Sequence, residues 1–339
     1  MVLYTPAYMN IRIDSQAKVG TSCVILPVFE KTKLESTAAW SWFNPTQKKL
    51  IHQFIQSAGS QTTGEVRWMT LPHGNNLTQV MLMWFGKKTD FTLRPFRLRI
   101  RQVVKQALAQ GVHHLTLAFR DVAVEGIHNE LLAQQLVEQL YLAEYTFSRF
   151  KSTSEKHLVN RFTLVVSPDQ TTHIRQNAKI GGVIGTEVNR VRDMCNTPGG
   201  EMTPKQLAKV GRSMAQECGA EFEVFGEAKM KQLGMGGILG VSKGSAEEAQ
   251  FITIKHLGGQ KNQAPIVLVG KGITFDTGGL NLKPDKAMDG MHLDMSGAAA
   301  VMGAVCVAAK LKLPINVIGI APAAENMPSG LSYRQGDII

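Results

Sequence analysis

The stretch Gly270-Lys-Gly-Ile-Thr-Phe-Asp-Thr-Gly-Gly-Leu-Asn-Leu-Lys283 decides how the second half of this chain is interpreted. It follows Pro265-Ile-Val-Leu-Val269, a short apolar run that predicts a buried strand. Glycines after a strand let the chain turn sharply and approach an ion or ligand closely. Because ligands gather at the carboxyl ends of strands in α/β sheets, the stretch predicts a binding site at such an end.

Four charged residues stand in or just after this stretch: Lys271, Asp276, Lys283 and Asp294. Two carboxylates with an amine nearby suit a pair of divalent cations, one carboxylate bridging both. A lysine ligates a metal only as the neutral amine, whereas a second, protonated lysine could stabilise an oxyanion. The alternative is that both lysines are solvated loop charges and Asp294 caps the helix starting near Gly297. From these residues alone we favour the alternative, because Lys and Asp are common in loops.

Longer motifs change that interpretation. GKGITFDTGGLNLKP (270–284), MHLDMSGAAAV (291–301) and AENMPSGLSYRQGD (324–337) resemble the leucyl aminopeptidase family, also called cytosol aminopeptidases. The similarity extends from about Asn189 to the end of the chain, and RDMCNTPGG (192–200) also resembles the family. The N-terminal part resembles the family in length and in its general sequence pattern. The resemblance implies a metal-dependent hydrolase that removes a leucine-like N-terminal residue from peptides.

The resemblance also implies a role for each site residue. Lys271 and Asp294 match ligands of one metal ion, and Asp276 matches the carboxylate that bridges two. Lys283 matches a catalytic lysine that polarises the scissile carbonyl. Met291 matches a methionine that lines the pocket for the first side chain of the substrate. The implied cofactors are two divalent ions, Zn or Mn, with bicarbonate as general base, and the implied assembly is a hexamer.

One departure from the family pattern bears on activity. The family's other metal ligands and an anion-holding arginine lie in an Asn-Thr-Asp-Ala-Glu-Gly-Arg motif, expected shortly after Gly336-Asp-Ile-Ile339. Neither Glu325 nor Asp337 replaces that motif, because each matches its own family position. We therefore expect a C-terminally truncated member with half of a bimetal site. The alternative function is a non-catalytic relic that binds nucleic acid or serves in assembly through its N-terminal half.

Composition indicates an ordinary globular protein. The chain has 339 residues, 44% hydrophobic and 19% charged, and this length predicts two domains. No run reaches the eighteen or so apolar residues of a membrane helix, and the N-terminus lacks the pattern of a signal peptide. Four cysteines without CxxC spacing indicate free thiols rather than a zinc cluster or a disulfide framework. These features predict a cytoplasmic protein without a membrane partner.

The net charge of +10 is concentrated in the N-terminal half. Residues 1–180 hold 21 Lys and Arg against 12 Asp and Glu. The excess is densest at Lys87, Lys88, Arg94, Arg97, Arg99, Arg101 and Lys105. Such a patch is typical of nucleic-acid binding, but helical spacing of Arg97, Arg101 and Lys105 also predicts a solvated helix face. We favour the solvated face and keep nucleic acid as the alternative.

The element pattern predicts two α/β domains, 1–168 and 169–339. The first is predicted as a macro-domain-like α/β sandwich, in which strands alternate with helices near 44–55, 96–109 and 130–150. Residues 151–160 are predicted to form a polar surface excursion. The second is predicted as a catalytic α/β domain around a mainly parallel sheet, incomplete at its C-terminal end, with a glycine-rich turn at 234–244. That turn lacks the phosphate-loop ending, so nucleotide binding is rejected.

Overall fold

The computed structural model describes residues 9–17, 19–20, 22–57, 59, 61–152 and 159–339. The described chain divides into two compact units, one ending at Gly185 and the other beginning at Thr186. Each unit has its own sheet and apolar core, which confirms the predicted α/β class. The division falls within a helix, Thr171–Asn196, and the domain boundary at 168/169 stays a prediction. Most of the predicted surface excursion at 151–160 lies outside the described residues.

The first unit contains six described strands and most of four helices. The strands are β1 (Asn10–Asp14), β2 (Cys23–Phe29), β3 (Val66–His73), β4 (Asn76–Gly86), β5 (His114–Ala118) and β6 (Arg161–Val165). The helices are α1 (Pro45–Gln56), α2 (Leu93–Ala109), α3 (Asn129–Glu144) and α4 (Thr171–Asn196), which continues into the second unit. Asn44 caps α1, accepting from the backbone N–H of Gln47 at 2.9 Å.

The sheet of the first unit has the order β1-β6-β5-β2-β4-β3, and every pair is parallel except the β3–β4 hairpin. Strand β2 is buried along its whole length. Its residues alternate between two apolar clusters: Ile25 packs with the side chains of α2 and α3, and Leu26 with those of α1. Helices therefore cover both faces, the arrangement that a parallel sheet requires.

The basic face of α2 is bound to the neighbouring helix α3. Arg97 Nε donates to Gln135 Oε1 at 2.7 Å, and Arg101 Nε donates to Gln139 Oε1 at 2.6 Å. The opposite face of α2 carries Ile100, which is fully buried in the core. These guanidinium groups join two helices of one unit and are only partly exposed, so they do not form the freely solvated face that was predicted.

The second unit contains the remaining five strands and five further helices of the described chain. The strands are β7 (Glu221–Phe225), β8 (Gln250–Leu257), β9 (Ile266–Val269), β10 (Gly272–Asp276) and β11 (Asn316–Asn326). The helices are α5 (Pro204–Cys218), α6 (Glu227–Gln232), α7 (Gly236–Ser242), α8 (Asp285–Met288) and α9 (Ser296–Lys310).

Strand β11 is the centre of this second sheet. One edge of β11 pairs in parallel with β9 and, nearer its C-terminal end, with β10. The other edge pairs antiparallel with β8, and β8 in turn pairs antiparallel with β7. The prediction of a mainly parallel sheet therefore holds for the strands beside the predicted site, and β7 and β8 add an antiparallel part. Helices α5 and α9 pack on one face, around Met214, Met302 and Ile254. Helices α6 and α7 pack on the other face.

Helix α3 ends at Glu144, short of the predicted end at 150, because Tyr145 is extended. Two further local predictions are wrong. The stretch 234–244, predicted as a glycine-rich turn, contains helix α7. A methyl group at Gly240 would lie 2.5 Å from Ile339 Cγ2, so close packing outweighs the low helix propensity of glycine. Strand β9 forms as predicted but is not buried, because Ile266 and Val269 are 54% and 68% exposed. Among the described strands β9 pairs only with β11, so its other edge remains open.

The stretch Asp285–Lys310 is long and apolar enough by composition to cross a membrane. The structure divides it into α8, a short 3-10 turn and α9, and half of its apolar window is buried. Buried residues of α9 such as Met302 and Val305 belong to the core of the second unit. Core helices of globular domains commonly satisfy such a test, and α9 is one of them.

The contact between α3 and α4 yields a stability prediction. A methyl group at Gly181 would lie 2.2 Å from the Gln134 carbonyl oxygen, whereas one at Gly182 would lie 3.6 Å from the Tyr141 hydroxyl. Gly181→Ala should destabilise the first unit by about 2 kcal/mol because backbone must move. Gly182→Ala, the matched control, should be neutral or stabilising by up to about 1 kcal/mol. Urea unfolding followed by tryptophan fluorescence measures the free energy of unfolding of this unit, because the unit holds all four tryptophans. Equal effects of the two variants would contradict the close approach of Gly181 to the Gln134 carbonyl.

Glu144, at the end of α3, yields a prediction about pH. Burial raises the pKa of Glu144 to about 7, although Val159 N donates to its Oε1 at 2.8 Å. A raised pKa favours the protonated folded state, so this stabilisation is complete below the ordinary pKa of 4.5 and is lost as pH rises through 7. Glu144→Gln should therefore stabilise the first unit by about 1 kcal/mol at pH 8 and have little effect at pH 4.5.

Urea unfolding at the two pH values measures this difference. Glu125→Gln changes an exposed glutamate of the same unit and serves as the control. A Glu144→Gln effect of the same size at both pH values would show that the carboxyl does not titrate as described.

Candidate metal centre

The carboxyl ends of β10 and β11 form the frame of the candidate centre. Asp276 is the last residue of β10 and pairs with Asn326, the last residue of β11. Thr277 extends this contact, because its N and Oγ1 donate to the Asn326 carbonyl at 2.9 and 2.7 Å. The paired ends hold Asp276 where α/β sheets commonly bind ligands.

A tight loop returns Lys283 to Asp276. Gly278 and Gly279 adopt φ angles of 90° and 66°, a left-handed conformation that favours glycine. Lys283 N donates to the Thr277 carbonyl at 2.9 Å and closes the loop. As a result Lys283 Nζ lies 2.7 Å from Asp276 Oδ2.

Lys271 and Asp294 meet because the start of α9 packs against the chain just before β10. A methyl group at Gly270 would lie only 2.2 Å from the Gly297 carbonyl oxygen, so this approach requires glycine. Ala298 N donates to the Lys271 carbonyl at 2.9 Å and fixes the contact. Asp294, two residues before α9, then places its Oδ2 2.6 Å from Lys271 Nζ.

The short 3-10 turn Met291–Leu293 connects these two ion pairs. Met291 Sδ lies 3.0 Å from Lys283 Nζ, and Asp294 follows the turn directly. The turn packs against β10. The five predicted site residues therefore lie around β10 in two ion pairs and one further contact. Lys271 pairs with Asp294, Lys283 pairs with Asp276, and Met291 contacts Lys283.

The two ion pairs differ in shelter from solvent. The side chains of Asp276 and Lys283 are 14% and 27% exposed, whereas Lys271 is 58% exposed. Solvent and salt screen an exposed pair more strongly than a sheltered one. The pair of Asp276 and Lys283 is therefore the more firmly held, and Lys271 is the cation with more freedom to leave its partner.

Hydrogen bonds keep Asp276 ionised. Burial by itself raises the pKa of Asp276, but donors outweigh it and the net pKa lies below the ordinary value. These donors are Lys283 Nζ to Oδ2, and Gly278 N and Asn326 Nδ2 to Oδ1 at 2.9 and 2.8 Å. A carboxylate is the form that a divalent cation binds.

Asp294 provides a test of whether these residues fit a metal. Its Oδ2 is buried, and although Lys271 Nζ is close, the approach lacks hydrogen-bonding geometry, so the oxygen accepts no hydrogen bond. The ammonium group of Lys271 neutralises this carboxylate in the folded chain, and a bound divalent cation would take over that role. Two carboxylates and one amine fit a divalent cation once Lys271 loses its proton. Within the described ranges, no group of three His, Cys, Asp or Glu side chains gathers for a metal.

The structure adds a residue that sequence reasoning missed. Asn326 was quoted within the AENMPSGLSYRQGD motif, but nothing in its spacing indicated contact with Asp276. The strand pairing of β10 and β11 alone creates that contact. Its neighbour Glu325 is bound elsewhere, because Glu325 Oε2 accepts from Ser245 Oγ at 2.6 Å. Asp337 accepts from the backbone N of Arg334 at 2.9 Å.

Comparisons with known proteins match both parts of the chain to one family. Residues 25–154 match the N-terminal domain and residues 189–339 the catalytic domain of the cytosol aminopeptidase family. A probable cytosol aminopeptidase of Chromobacterium violaceum is 36% identical over 97% of this chain and 64% of its own length. One from Thioalkalivibrio sulfidiphilus is 33% identical over 97% of this chain and 67% of its own length.

A solved structure shows the same fold. The bottromycin maturation enzyme BotP, in complex with Mn, is 26% identical with a TM-score of 0.74, covering 93% of this chain and 62% of BotP. The chain is a two-domain α/β protein. It belongs to the cytosol aminopeptidase family. It spans about two thirds of the length of these relatives.

The contact between Asn326 and Asp276 yields a prediction for this site. Asn326→Ala removes one donor to an ionised carboxylate and should destabilise the second unit by about 1–2 kcal/mol at pH 7. Because the lowered pKa of Asp276 contributes stability above its ordinary value of 3.8, the loss should shrink below that pH. Urea unfolding followed by circular dichroism at pH 7 and pH 3 measures it. Ser245→Ala removes a similar bond from Glu325 and is the matched comparison; an Asn326→Ala effect independent of pH would contradict the assignment.

Proposed function

We propose that this chain is a metal-dependent aminopeptidase that removes a leucine-like N-terminal residue from peptides through a dinuclear site. The observation that carries the proposal is the convergence of two lysines and two aspartates around β10, in a member of the cytosol aminopeptidase family. The Mn complex of BotP supports a divalent cation as the cofactor. Zn or Mn suits the donor set of two carboxylates and an amine.

Lys271, Asp276 and Asp294 are the residues that would hold the cations, with Asp276 shared between two. Asp294 contributes the buried oxygen that accepts no hydrogen bond, and Asp276 is already ionised. Lys271 is the exposed member of its pair, so it can exchange its proton with solvent. Divalent cations bound there would polarise a carbonyl and make water a nucleophile near neutral pH.

Lys283 would act on the substrate as a fixed positive charge. Asp276 Oδ2 and Met291 Sδ hold its ammonium group at 2.7 and 3.0 Å, so it requires little rearrangement during a reaction. A positioned ammonium group stabilises the negative charge that develops on the oxygen of a scissile carbonyl. Met291, beside this charge, would contact the first side chain of the peptide, which explains a preference for apolar, leucine-like residues.

The proposal extends to the setting of the enzyme. Its substrates would be peptides with a free N-terminus, and it would work in the cytoplasm, as the names of its relatives indicate for them. Assembly of several copies, a hexamer by the family resemblance, completes the proposal. We also propose bicarbonate as the general base. The residues named above are assigned to the cations and to the substrate, and none of them is assigned to bicarbonate.

Release of leucine from leucyl-glycylglycine by the 339-residue chain tests this function directly. With Mn²⁺ or Zn²⁺ added, release of leucine requires metal ligands beyond the half-site expected from the sequence, for example from a neighbouring copy of the chain. EDTA should abolish any release, because the protein side chains alone cannot activate water. Calorimetry with Mn²⁺ on the same sample separates the two parts of the proposal. Mn²⁺ binding without any release of leucine would refute the peptidase activity while keeping the metal site.

Two substitutions separate the proposed roles. Asp276→Ala should weaken Mn²⁺ binding by more than about 100-fold, because the shared carboxylate is lost. Lys283→Ala should lower kcat by about 100-fold or more, because the loss of one stabilising donor raises the barrier. Mn²⁺ binding to Lys283→Ala should be unchanged or tighter, since Asp276 Oδ2 loses a competing cation.

Exposed residues of the same loop provide the controls. Asp289→Asn and Lys286→Ala change the charge of exposed side chains near the site and should leave both Mn²⁺ affinity and kcat unchanged. If Asp276→Ala bound two Mn²⁺ ions as tightly as the unmodified chain, Asp276 would not be the bridging ligand.

A further inference from the structure

Two cysteines of the second unit face each other between helices α5 and α9. Cys218 is the last residue of α5, and Cys306 lies in the last three turns of α9. Their sulfur atoms are 3.4 Å apart, although 88 positions separate them in the sequence. Both are free thiols in this structure.

A disulfide between them requires only a small movement. The sulfur atoms of a disulfide lie about 2.0 Å apart, and rotation about the Cα–Cβ bonds moves a sulfur atom by more than the remaining gap. The helices that carry the two residues already pack together in the core of the unit. The fold therefore presents the two thiols at a spacing from which they can be linked without separating the helices.

The two thiols differ in access and in acidity. Cys218 is half-buried, whereas Cys306 is completely buried. The hydrogen bond with Cys306 lowers the pKa of Cys218, against the opposing effect of burial, and the same bond and burial raise the pKa of Cys306. An oxidant would thus reach Cys218 first and meet more of its reactive thiolate, while Cys306 keeps its proton.

The surrounding charges are compatible with such a reaction. Glu187, 1% exposed, and Lys310 form an ion pair at 2.6 Å and act on the pair with opposite sign: Glu187 disfavours and Lys310 favours the thiolate of Cys218. Formation of a disulfide removes the thiolate and leaves a neutral bridge. The ion pair of Glu187 and Lys310 can therefore stay as it is when the disulfide forms.

The other two cysteines lack this arrangement. Cys23 is buried in the first unit, where burial raises the pKa of its thiol to about 12. Cys195 is half-buried, like Cys218, but its sulfur contacts Ser296 Oγ at 3.5 Å rather than another thiol. Cys195 is therefore a matched control of similar exposure without a partner sulfur.

We propose that Cys218 and Cys306 form a redox site at which a peroxide reversibly creates an intramolecular disulfide. The Cys218 thiolate attacks the O–O bond of the peroxide, gives a sulfenic acid and releases hydroxide, or alkoxide from an alkyl peroxide. Cys306 then attacks the Cys218 sulfur, the S–O bond breaks, and the displaced hydroxide takes the Cys306 proton as water. Two thiols lose two electrons and the peroxide gains them. A thiol reductant reverses the step, as expected of a disulfide in a reducing cytoplasm.

The bridge ties α5 to α9, the helix that begins two residues after Asp294. Linking positions so distant in sequence restricts the unfolded chain strongly, so the oxidised second unit should unfold at a higher temperature. This inference does not depend on the proposed peptidase activity or on a bound metal. It requires only the reduced, folded chain.

Hydrogen peroxide, added to the reduced 339-residue chain and followed by non-reducing digestion and mass spectrometry, tests the proposal. We expect a peptide linking Cys218 to Cys306, loss of two free thiols and a melting temperature raised by about 5 °C. Dithiothreitol should restore both thiols and the original melting temperature. On a non-reducing gel the oxidised protein should migrate as a monomer, because the disulfide is intramolecular.

Variants identify the order of the two steps. Cys306→Ser should stop at a Cys218 sulfenic acid, trapped by dimedone, whereas Cys218→Ser should give neither a trapped adduct nor a bridge. Cys195→Ser, the control, should oxidise like the unmodified chain. Circular dichroism before oxidation establishes that each variant is folded. Cys218 oxidised to sulfinic acid without a linked peptide, or a bridge to Cys195 in place of Cys306, would overturn the proposal.

Discussion

The close packing of Gly270 against Gly297 is the constraint on which the candidate centre depends. No side chain fits at Gly270, because its first carbon would overlap the Gly297 carbonyl oxygen. With two glycines the backbone before β10 touches the start of α9, and a hydrogen bond from Ala298 to Lys271 holds it there. The apolar residues of α9 are buried in the core, so the helix cannot move away without exposing them. The position of Asp294 follows from this contact.

Charge neutralisation is the second physical requirement of the site. Two carboxylates gathered near a strand end repel each other unless cations lie between them. In this structure Lys271 and Lys283 supply those charges, one for each aspartate. The site can therefore assemble during folding before any metal binds. The two lysines are not equivalent. Lys283 Nζ contacts Met291 Sδ in addition to Asp276, whereas Lys271 is largely exposed, so Lys283 is the more fixed charge and Lys271 the more easily displaced one.

Helix α9 connects the two reactive regions of the second unit. Its first turn follows Asp294, and Cys306 lies ten residues beyond Ser296, about 15 Å along the helix axis. The same element that positions a carboxylate thus also carries a thiol, and the two chemistries share one structural support without sharing a residue.

The sequence by itself determined the α/β class and most strands and helices, because alternating apolar patterns, caps and glycine motifs are local signals. The five residues of the candidate centre were predicted from the resemblance of longer motifs to a known family. Tertiary structure decided what depends on contacts distant in sequence. Asn326 reaches Asp276 only through the pairing of β11 with β10. Helix α7 forms in a glycine-rich stretch because close packing outweighs propensity. Strand β9 is exposed although it pairs with β11, its one partner among the described strands. The meeting of Cys218 with Cys306 likewise arises from helix packing, which no local pattern of residues encodes.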